Sequence, residues 1–154
     1  MDLLIDWGNT QLKYVLVDDW SKPGNLSQLV KTCASLDELL SALSGSNIEK
    51  LGVVLICSVR TDDDNAELNL ALSKISSEVF FAETSHNVCG VQSAYADPEN
   101  LGIDRWLAVL AASKQLTKNS AIEESSHVGV ISIGTAITLD IVNRAQHLGG
   151  HILP

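Results

Sequence analysis

Basic residues are scarce in this chain. Lysine and arginine together number 10 against 19 aspartates and glutamates, a formal net charge of -9. Such a surface repels nucleic-acid phosphate and anionic lipid, so neither nucleic acid nor membrane is an expected partner. A nucleotide can still bind through backbone N–H groups, a metal and a few local cations. Cysteine is also sparse: Cys33, Cys57 and Cys89 are odd in number and widely spaced, with no C-x-x-C. That pattern speaks against a disulfide framework and for thiols in a reducing cytosol. No apolar run approaches the roughly 20 residues that cross a bilayer, and Met1-Asp2 lacks the basic start of a signal peptide. The expectation is a soluble, cytoplasmic protein. With 3 prolines and 10 glycines the chain is neither low-complexity nor fibrous. What is present is ordinary globular material: 154 residues, 45% hydrophobic and 19% charged, enough for one domain or two small ones with a real core.

Periodicity supplies a mixed α/β order. Residues 2–6 and 12–18 read as strands joined by a Gly8-Asn9-Thr10 turn, and 28–33 as a third strand after the Pro23-Gly24-Asn25 loop. Ser35-x-x-Glu38 is a capping box, and Leu36, Leu39, Leu40 and Leu43 follow at helical spacing until Gly45. Leu51 to Val59 is almost wholly apolar and β-branched, the mark of a buried central strand. A helix after Asp62-Asp63-Asp64 and a short strand at Val79-Phe80-Phe81 come next. Residues 84–104 read as loop, 105–118 as a helix, 119–127 as a polar linker, and 128–133 with 136–142 as a second hairpin; Gly149-Gly150 and Pro154 close the chain. Strands that first meander and then alternate with helices predict a mixed sheet.

Two turns carry the chemistry. In Asp6-Trp7-Gly8-Asn9-Thr10 an apolar strand ends in a carboxylate, turns on a glycine and leaves as Gln11-Leu12-Lys13. Ser132-Ile133-Gly134-Thr135-Ala136 repeats that outline between two further apolar strands. A duplicated strand–turn–strand offers two phosphate-facing turns. Asp6 suits Mg²⁺, directly or through water. Asn9, Thr10 and Thr135 supply hydroxyl and N–H donors, and Lys13 supplies a cation unless it merely faces solvent as strand lysines do. Two ordinary hairpins are the bland alternative, with Trp7 as packing.

The third segment is Tyr95-Ala96-Asp97-Pro98-Glu99-Asn100-Leu101-Gly102-Ile103-Asp104-Arg105-Trp106, which ends a loop and opens a helix. Asp104 falls where a helix cap and the helix dipole favour a carboxylate. Arg105 can fork onto a small acid, or form a surface ion pair.

With these three blocks in order, Asp6-x-Gly8-Asn9-Thr10, Tyr95-x-x-Pro98-x-x-Leu101-Gly102-x-Asp104-Arg105-Trp106 and Gly134-Thr135-Ala136-x-Thr138-x-Asp140, the chain resembles the type III pantothenate kinases. That family belongs to the acetate and sugar kinase/Hsp70/actin superfamily, and Gly149-Gly150-x-Ile152-x-Pro154 fits it as well. The resemblance implies an α/β fold of actin-like, ribonuclease H-like lobes with a mixed sheet: residues 1–118 as the first lobe and 119–154 as the start of an incomplete second. It implies phosphorylation of pantothenate by ATP, the first step of coenzyme A synthesis, with Asp104 as general base. Tyr95, Gly102, Ile103, Asp104 and Arg105 then form the pantothenate site, Arg105 facing the substrate carboxylate. Asp6, Trp7, Gly8, Asn9, Thr10, Gln11, Leu12, Lys13 and Thr135 form the ATP site, with Asp6 at Mg²⁺. It also implies a homodimer.

Two departures stand out. The family's second turn begins with an aspartate that binds K⁺ or NH₄⁺, and here that position is Ser132, which predicts weak or absent activation by monovalent cations. The family also continues for about another hundred residues, so these strands are expected to lack part of their packing layer, and a non-catalytic actin-like protein that binds a nucleotide or a partner is the competing reading. A ribonuclease H-like nuclease needs clustered metal carboxylates and a basic surface, which the acidic balance opposes. His147 and His151 are four apart, but Gly149-Gly150 between them rules out a helical zinc pair. Asp62-Asp63-Asp64 reads as a solvated helix start, and Asp140 either assists the metal or faces solvent.

Overall fold

A computed structural model describes residues 1–21, 29–46, 48, 50–123 and 125–153. The Pro23-Gly24-Asn25 loop, the start of the 28–33 strand and Pro154 fall outside these residues. The chain divides into two compact units, Met1–Ala82 and Glu83–Pro154.

The first unit is a mixed α/β layer. Strands β1 (Asp2–Trp7), β2 (Leu12–Val17), β3 (Lys31–Cys33), β4 (Leu51–Ser58) and β5 (Ser76–Phe81) form one sheet in the order β3-β2-β1-β4-β5. β1, β2 and β3 pair antiparallel, whereas β4 lies parallel to both β1 and β5. The parallel pairs require crossovers, which α1 (Leu36–Ser44) and α2 (Asp62–Leu72) provide. Leu39 and Leu43 of α1 and Leu68 and Leu72 of α2 join Leu3, Ile5, Val54 and Ile56 of the sheet in one buried cluster. β4 sits at the centre, as its apolar run predicts.

Both helices start on side-chain caps. The Ser35 hydroxyl accepts from Glu38 N–H at 3.2 Å, while the Glu38 carboxylate reaches one residue further back, to Ala34 N–H at 2.7 Å. α2 has the full reciprocal box between Thr61 and Asp64, so the Asp62-Asp63-Asp64 run is a helix start. β5 begins three residues earlier than its apolar core predicts, because Ser76 donates its hydroxyl to Gly52 O at 2.6 Å and is buried there.

The second unit holds a small hairpin of β6 (Asn87–Val88) and β7 (Val91–Gln92), a 3-10 turn at Pro98–Asn100, α3 (Ile103–Lys118), and a sheet of β8 (Val128–Ile133), β9 (Ile137–Val142) and β10 (His147–Leu153). β6 and β7 lie within the expected loop. Cys89 (φ 54) and Gly90 (φ 80) give their two-residue turn the left-handed backbone that hairpins favour. β10 replaces the expected glycine-rich ending, and Gly149 (φ 109) sits at the bulge where its register with β9 shifts. β9 is central and antiparallel to both neighbours. α3 buries Ile103, Arg105, Trp106, Val109, Ser113 and Leu116, a stripe at helical spacing that includes an arginine. Among the described residues no helix is long and apolar enough to cross a membrane.

Candidate functional site

The first hairpin places its groups at one end of the sheet. Strand alternation buries Leu3 and Ile5 and turns Asp6 outward, beside Lys13 in register on β2 and Cys57 on β4. Lys13 Nζ lies 3.6 Å from Asp6 Oδ2, and both side chains are about half exposed, so solvent screens the pair and a solute can reach both. Gly8 N–H closes the turn onto Gln11 O at 3.0 Å. Asn9, Thr10 and Gln11 are exposed, whereas the Leu12 side chain belongs to the core. Trp7 packs on the core edge, and its carbonyl accepts from Val59 N–H at 3.2 Å.

A cation that sequence reasoning passed over also lies here. The Arg60 guanidinium stands 5.5 Å from the Trp7 ring centroid, donates from Nη1 to Asn9 O at 3.3 Å and pairs through Nε with Asp64 at 3.1 Å. Its position just before the α2 cap was the available signal.

The second hairpin repeats the architecture without the charges. Ser132 on β8 is exposed and faces Thr138 on β9, where the first hairpin has Asp6 facing Lys13. Gly134 N–H closes this tighter turn onto Ala136 O at 3.1 Å, around Thr135. In each hairpin a third antiparallel strand, β3 or β10, follows on the second.

The Tyr95–Trp106 segment divides into an exposed and a buried part. Gly102, with no side chain to offer, is the N-cap residue of α3, and Asp104 lies in the first turn, exposed and making no capping bond. Asp104 is therefore not the helix cap that its position suggested. A Cβ on Gly102 would stand 2.7 Å from Asp104 Oδ1, so the carboxylate folds back over the glycine. The helix N-terminus supplies a favourable potential there.

Arg105 is not a surface ion-pair partner. It is 6% exposed, and its guanidinium forks onto Asp140 of β9, with Nε to Oδ2 at 3.0 Å and Nη2 to Oδ1 at 2.6 Å. Nη2 also reaches the Tyr95 hydroxyl at 3.4 Å. The Asp140 hydrogen bond, ahead of the opposing effect of burial, holds the Arg105 pKa above its ordinary value. Asp140 neither faces solvent nor stands free for a metal; His147 Nε2 approaches its Oδ1 at 2.9 Å, and the His147 ring stacks on Tyr95 with centroids 5.7 Å apart. Gly150 makes the assembly possible, since a Cβ there would collide with the Asp140 carboxylate and stand 2.7 Å from Arg105 Nη2. His147 thus has a structural partner that the rejected zinc pairing did not anticipate.

The profile of the type III pantothenate kinase family matches residues 2–154. The chain belongs to the type III pantothenate kinase family. A type III pantothenate kinase of Acinetobacter baumannii (strain AYE) is 34% identical over 158 residues, spanning 99% of this chain and 58% of that protein. One from Cellvibrio japonicus (strain Ueda107) is 36% identical over 160 residues, spanning all of this chain and 58% of that protein. The chain therefore spans a little over half the length of these curated relatives. Among solved structures, a conserved putative Baf family transcriptional activator from Campylobacter jejuni superposes with a TM-score of 0.52 at 23% identity, over 99% of this chain and 54% of that one. That likeness concerns the fold alone.

Proposed function

We propose that this chain carries the ATP-phosphate turn and the pantothenate loop of a type III pantothenate kinase and phosphorylates the primary hydroxyl of pantothenate. The family match from residue 2 to residue 154 carries this reading. The exposed Asp6, Asn9, Thr10 and Asp104 support it, since each is open to a solute. The reading includes two actin-like lobes, expected from sequence at 1–118 and 119–154, whereas the compact units divide after Ala82 and keep α3 with β8, β9 and β10; the repeated antiparallel meander, β1-β2-β3 and β8-β9-β10, supports the duplication. It also includes a homodimer, carried from the family resemblance, and a cytoplasmic location, carried from the cysteine usage and the charge pattern of the sequence.

In this reaction the pantothenate oxygen bonds to the γ-phosphorus, the bond to the ADP oxygen breaks, and the hydroxyl proton ends on the Asp104 carboxylate. Phosphoryl transfer is loose, so Asp104 mainly orients the hydroxyl, and the protein contributes position and charge. Turn N–H groups and Lys13 meet the phosphates. Among the described residues Arg105 engages Asp140 and Tyr95 through Nε and Nη2, and Nη1 is the group this reading assigns to the pantothenate carboxylate.

The donor set suits Mg²⁺ carried by ATP. Among the described residues no three acidic, histidine or cysteine groups form a cage, and Mg²⁺ typically takes one or two carboxylates with substrate phosphates and water. Asp6 would hold it, and the ion would neutralise charge on the β- and γ-phosphate oxygens. The monovalent-cation position offers the exposed Ser132 hydroxyl where a carboxylate is expected, so K⁺ or NH₄⁺ should activate weakly or not at all.

The test is incubation with MgATP and pantothenate, with phosphopantothenate read by mass and Asp104→Asn as the control. Product that disappears in the variant supports the reading. No product at high protein concentration, with MgATP still bound, leaves the non-catalytic nucleotide-binding alternative, which the uncharged Ser132 favours.

A further inference from the structure

We propose that Arg60 is a phosphate-binding residue of the β1–β2 turn, clamped so that its free N–H groups are offered to the terminal phosphates of a nucleoside triphosphate. The inference rests on the reading that this turn holds ATP phosphates, and adds a residue from a different strand to it.

The chain path puts Arg60 there. β4 runs parallel to β1, with Trp7 in register with Ser58, and Val59 N–H continues the ladder onto Trp7 O at 3.2 Å. Arg60 follows at once and Thr61 already caps α2, so the arginine has no slack to leave the end of β1. Three contacts orient the guanidinium: the Trp7 face at 5.5 Å, Asn9 O at 3.3 Å and Asp64 Oδ2 at 3.1 Å. The first two belong to the phosphate turn, some fifty residues away in sequence. A role confined to supporting α2 explains the Asp64 contact alone.

The valence count leaves room for a ligand. Arginine has five N–H donors; among the described residues Nε serves Asp64 and one Nη1 hydrogen serves Asn9. Three donors remain on a guanidinium already held by these three contacts, and the side chain is 33% exposed. A planar fork held in advance loses little entropy on meeting a phosphate, and such charge-assisted bonds are the strong kind. The turn also needs the charge. Lys13 is already paired with Asp6, and the start of α2 adds Asp62, Asp63 and Asp64 nearby in sequence, so a polyanion arriving there requires a second cation.

The experiment is calorimetric titration of the full chain with MgATP and with AMP, for wild type, Arg60→Ala, Arg60→Gln and Arg60→Lys, with urea midpoints taken alongside. Arg60→Ala and Arg60→Gln should weaken MgATP about tenfold to a hundredfold, the range of one or two lost charge-assisted bonds, and should affect AMP far less. Arg60→Lys should recover part of the loss, because a point charge replaces a fork. If wild type binds MgATP and either neutral variant binds it within about twofold, the inference fails and the turn keeps its role. Equal weakening of MgATP and AMP also overturns it, marking Arg60 as structural. If wild type binds no MgATP, the phosphate reading of the turn falls and this inference falls with it. If MgATP binding depends on Arg60 but no phosphopantothenate forms, the inference stands while the kinase reading fails.

Discussion

Replacing Asp140 by alanine removes the counter-ion of a buried arginine. Arg105 and Asp140 are 6% and 1% exposed, and two hydrogen bonds of 3.0 and 2.6 Å join them. Lysine or histidine in the same place could shed a proton and become neutral, but a guanidinium keeps its charge at any accessible pH. The variant therefore strands a positive charge inside the second unit. Breaking one partner of a buried pair typically costs about 3–5 kcal/mol, and the lost His147 contact adds roughly 1 kcal/mol. Set against a usual domain stability of about 5–15 kcal/mol, that is a large fraction. With a urea slope of about 2 kcal/mol per molar, the unfolding midpoint should fall by about 2–3 M. Trp106, which is 1% exposed and tilted against His147 with centroids 6.4 Å apart, reports on the same region by fluorescence. The companion is the double variant Arg105→Met with Asp140→Leu. Apolar replacement of both partners should leave stability within about 2 kcal/mol of wild type, because the desolvation cost of both charges disappears together. A loss below about 1 kcal/mol for Asp140→Ala, or a double variant as unstable as the single one, would refute the argument that Asp140 compensates a buried charge.

Gly102→Ala tests the seat of Asp104. The new Cβ would stand 2.7 Å from Asp104 Oδ1, and Gly102 has an ordinary φ of -55, so the carboxylate should turn aside with little loss of stability. Phosphorylation of pantothenate should fall about tenfold to a hundredfold at an unchanged melting temperature, and full activity would count against the placement. Acid should weaken the first unit through Asp2, whose carboxylate the Trp20 indole and Val53 N–H hold below its ordinary value. A lowered folded pKa gives stability that is present above the unfolded value of about 3.9 and lost as pH falls through the folded one. Urea midpoints should therefore decline less steeply below about pH 4 in Asp2→Asn than in wild type, and identical slopes would contradict this. On the β8–β10 sheet, Ile131, Ile133, Ile137, Leu139 and Leu153 share the face opposite Asp140 and are 38–81% exposed. Paired substitution Ile131→Thr and Ile133→Thr should lower binding of an apolar dye without lowering the melting temperature, since threonine keeps the β-branch that strands favour. Dye binding equal to wild type would show that this face is not what the dye reads.

Local signals made much of the fold legible, and the failures share one cause. The Asp6-to-Lys13 hairpin, the Ser35 cap and the apolar β4 all express themselves within a few residues, through turn chemistry, capping and period. β10 escaped because Gly149-Gly150 is turn-like in composition; its real use is a bulge with left-handed backbone at Gly149 and clearance for the Arg105–Asp140 pair at Gly150. Clearance of that kind is fixed by a residue on another element, so a local reading cannot contain it. The same holds at the candidate site. Asp6 and Asp104 were legible because each sits in its own short motif. Arg60 was not, because what makes it a candidate is its contact with Trp7 and Asn9 across two parallel strands. Asp140 and His147 were misread for the same reason, since a lone strand aspartate and a lone histidine acquire their roles only when α3 delivers Arg105 between β9 and Tyr95. The two kinds of residue differ in what substitution should do. Asp6 and Asp104 face solvent, and their substitution should alter chemistry with little effect on stability. Those legible only in the fold are buried or clamped, and their replacement should register first in folding and through it in binding.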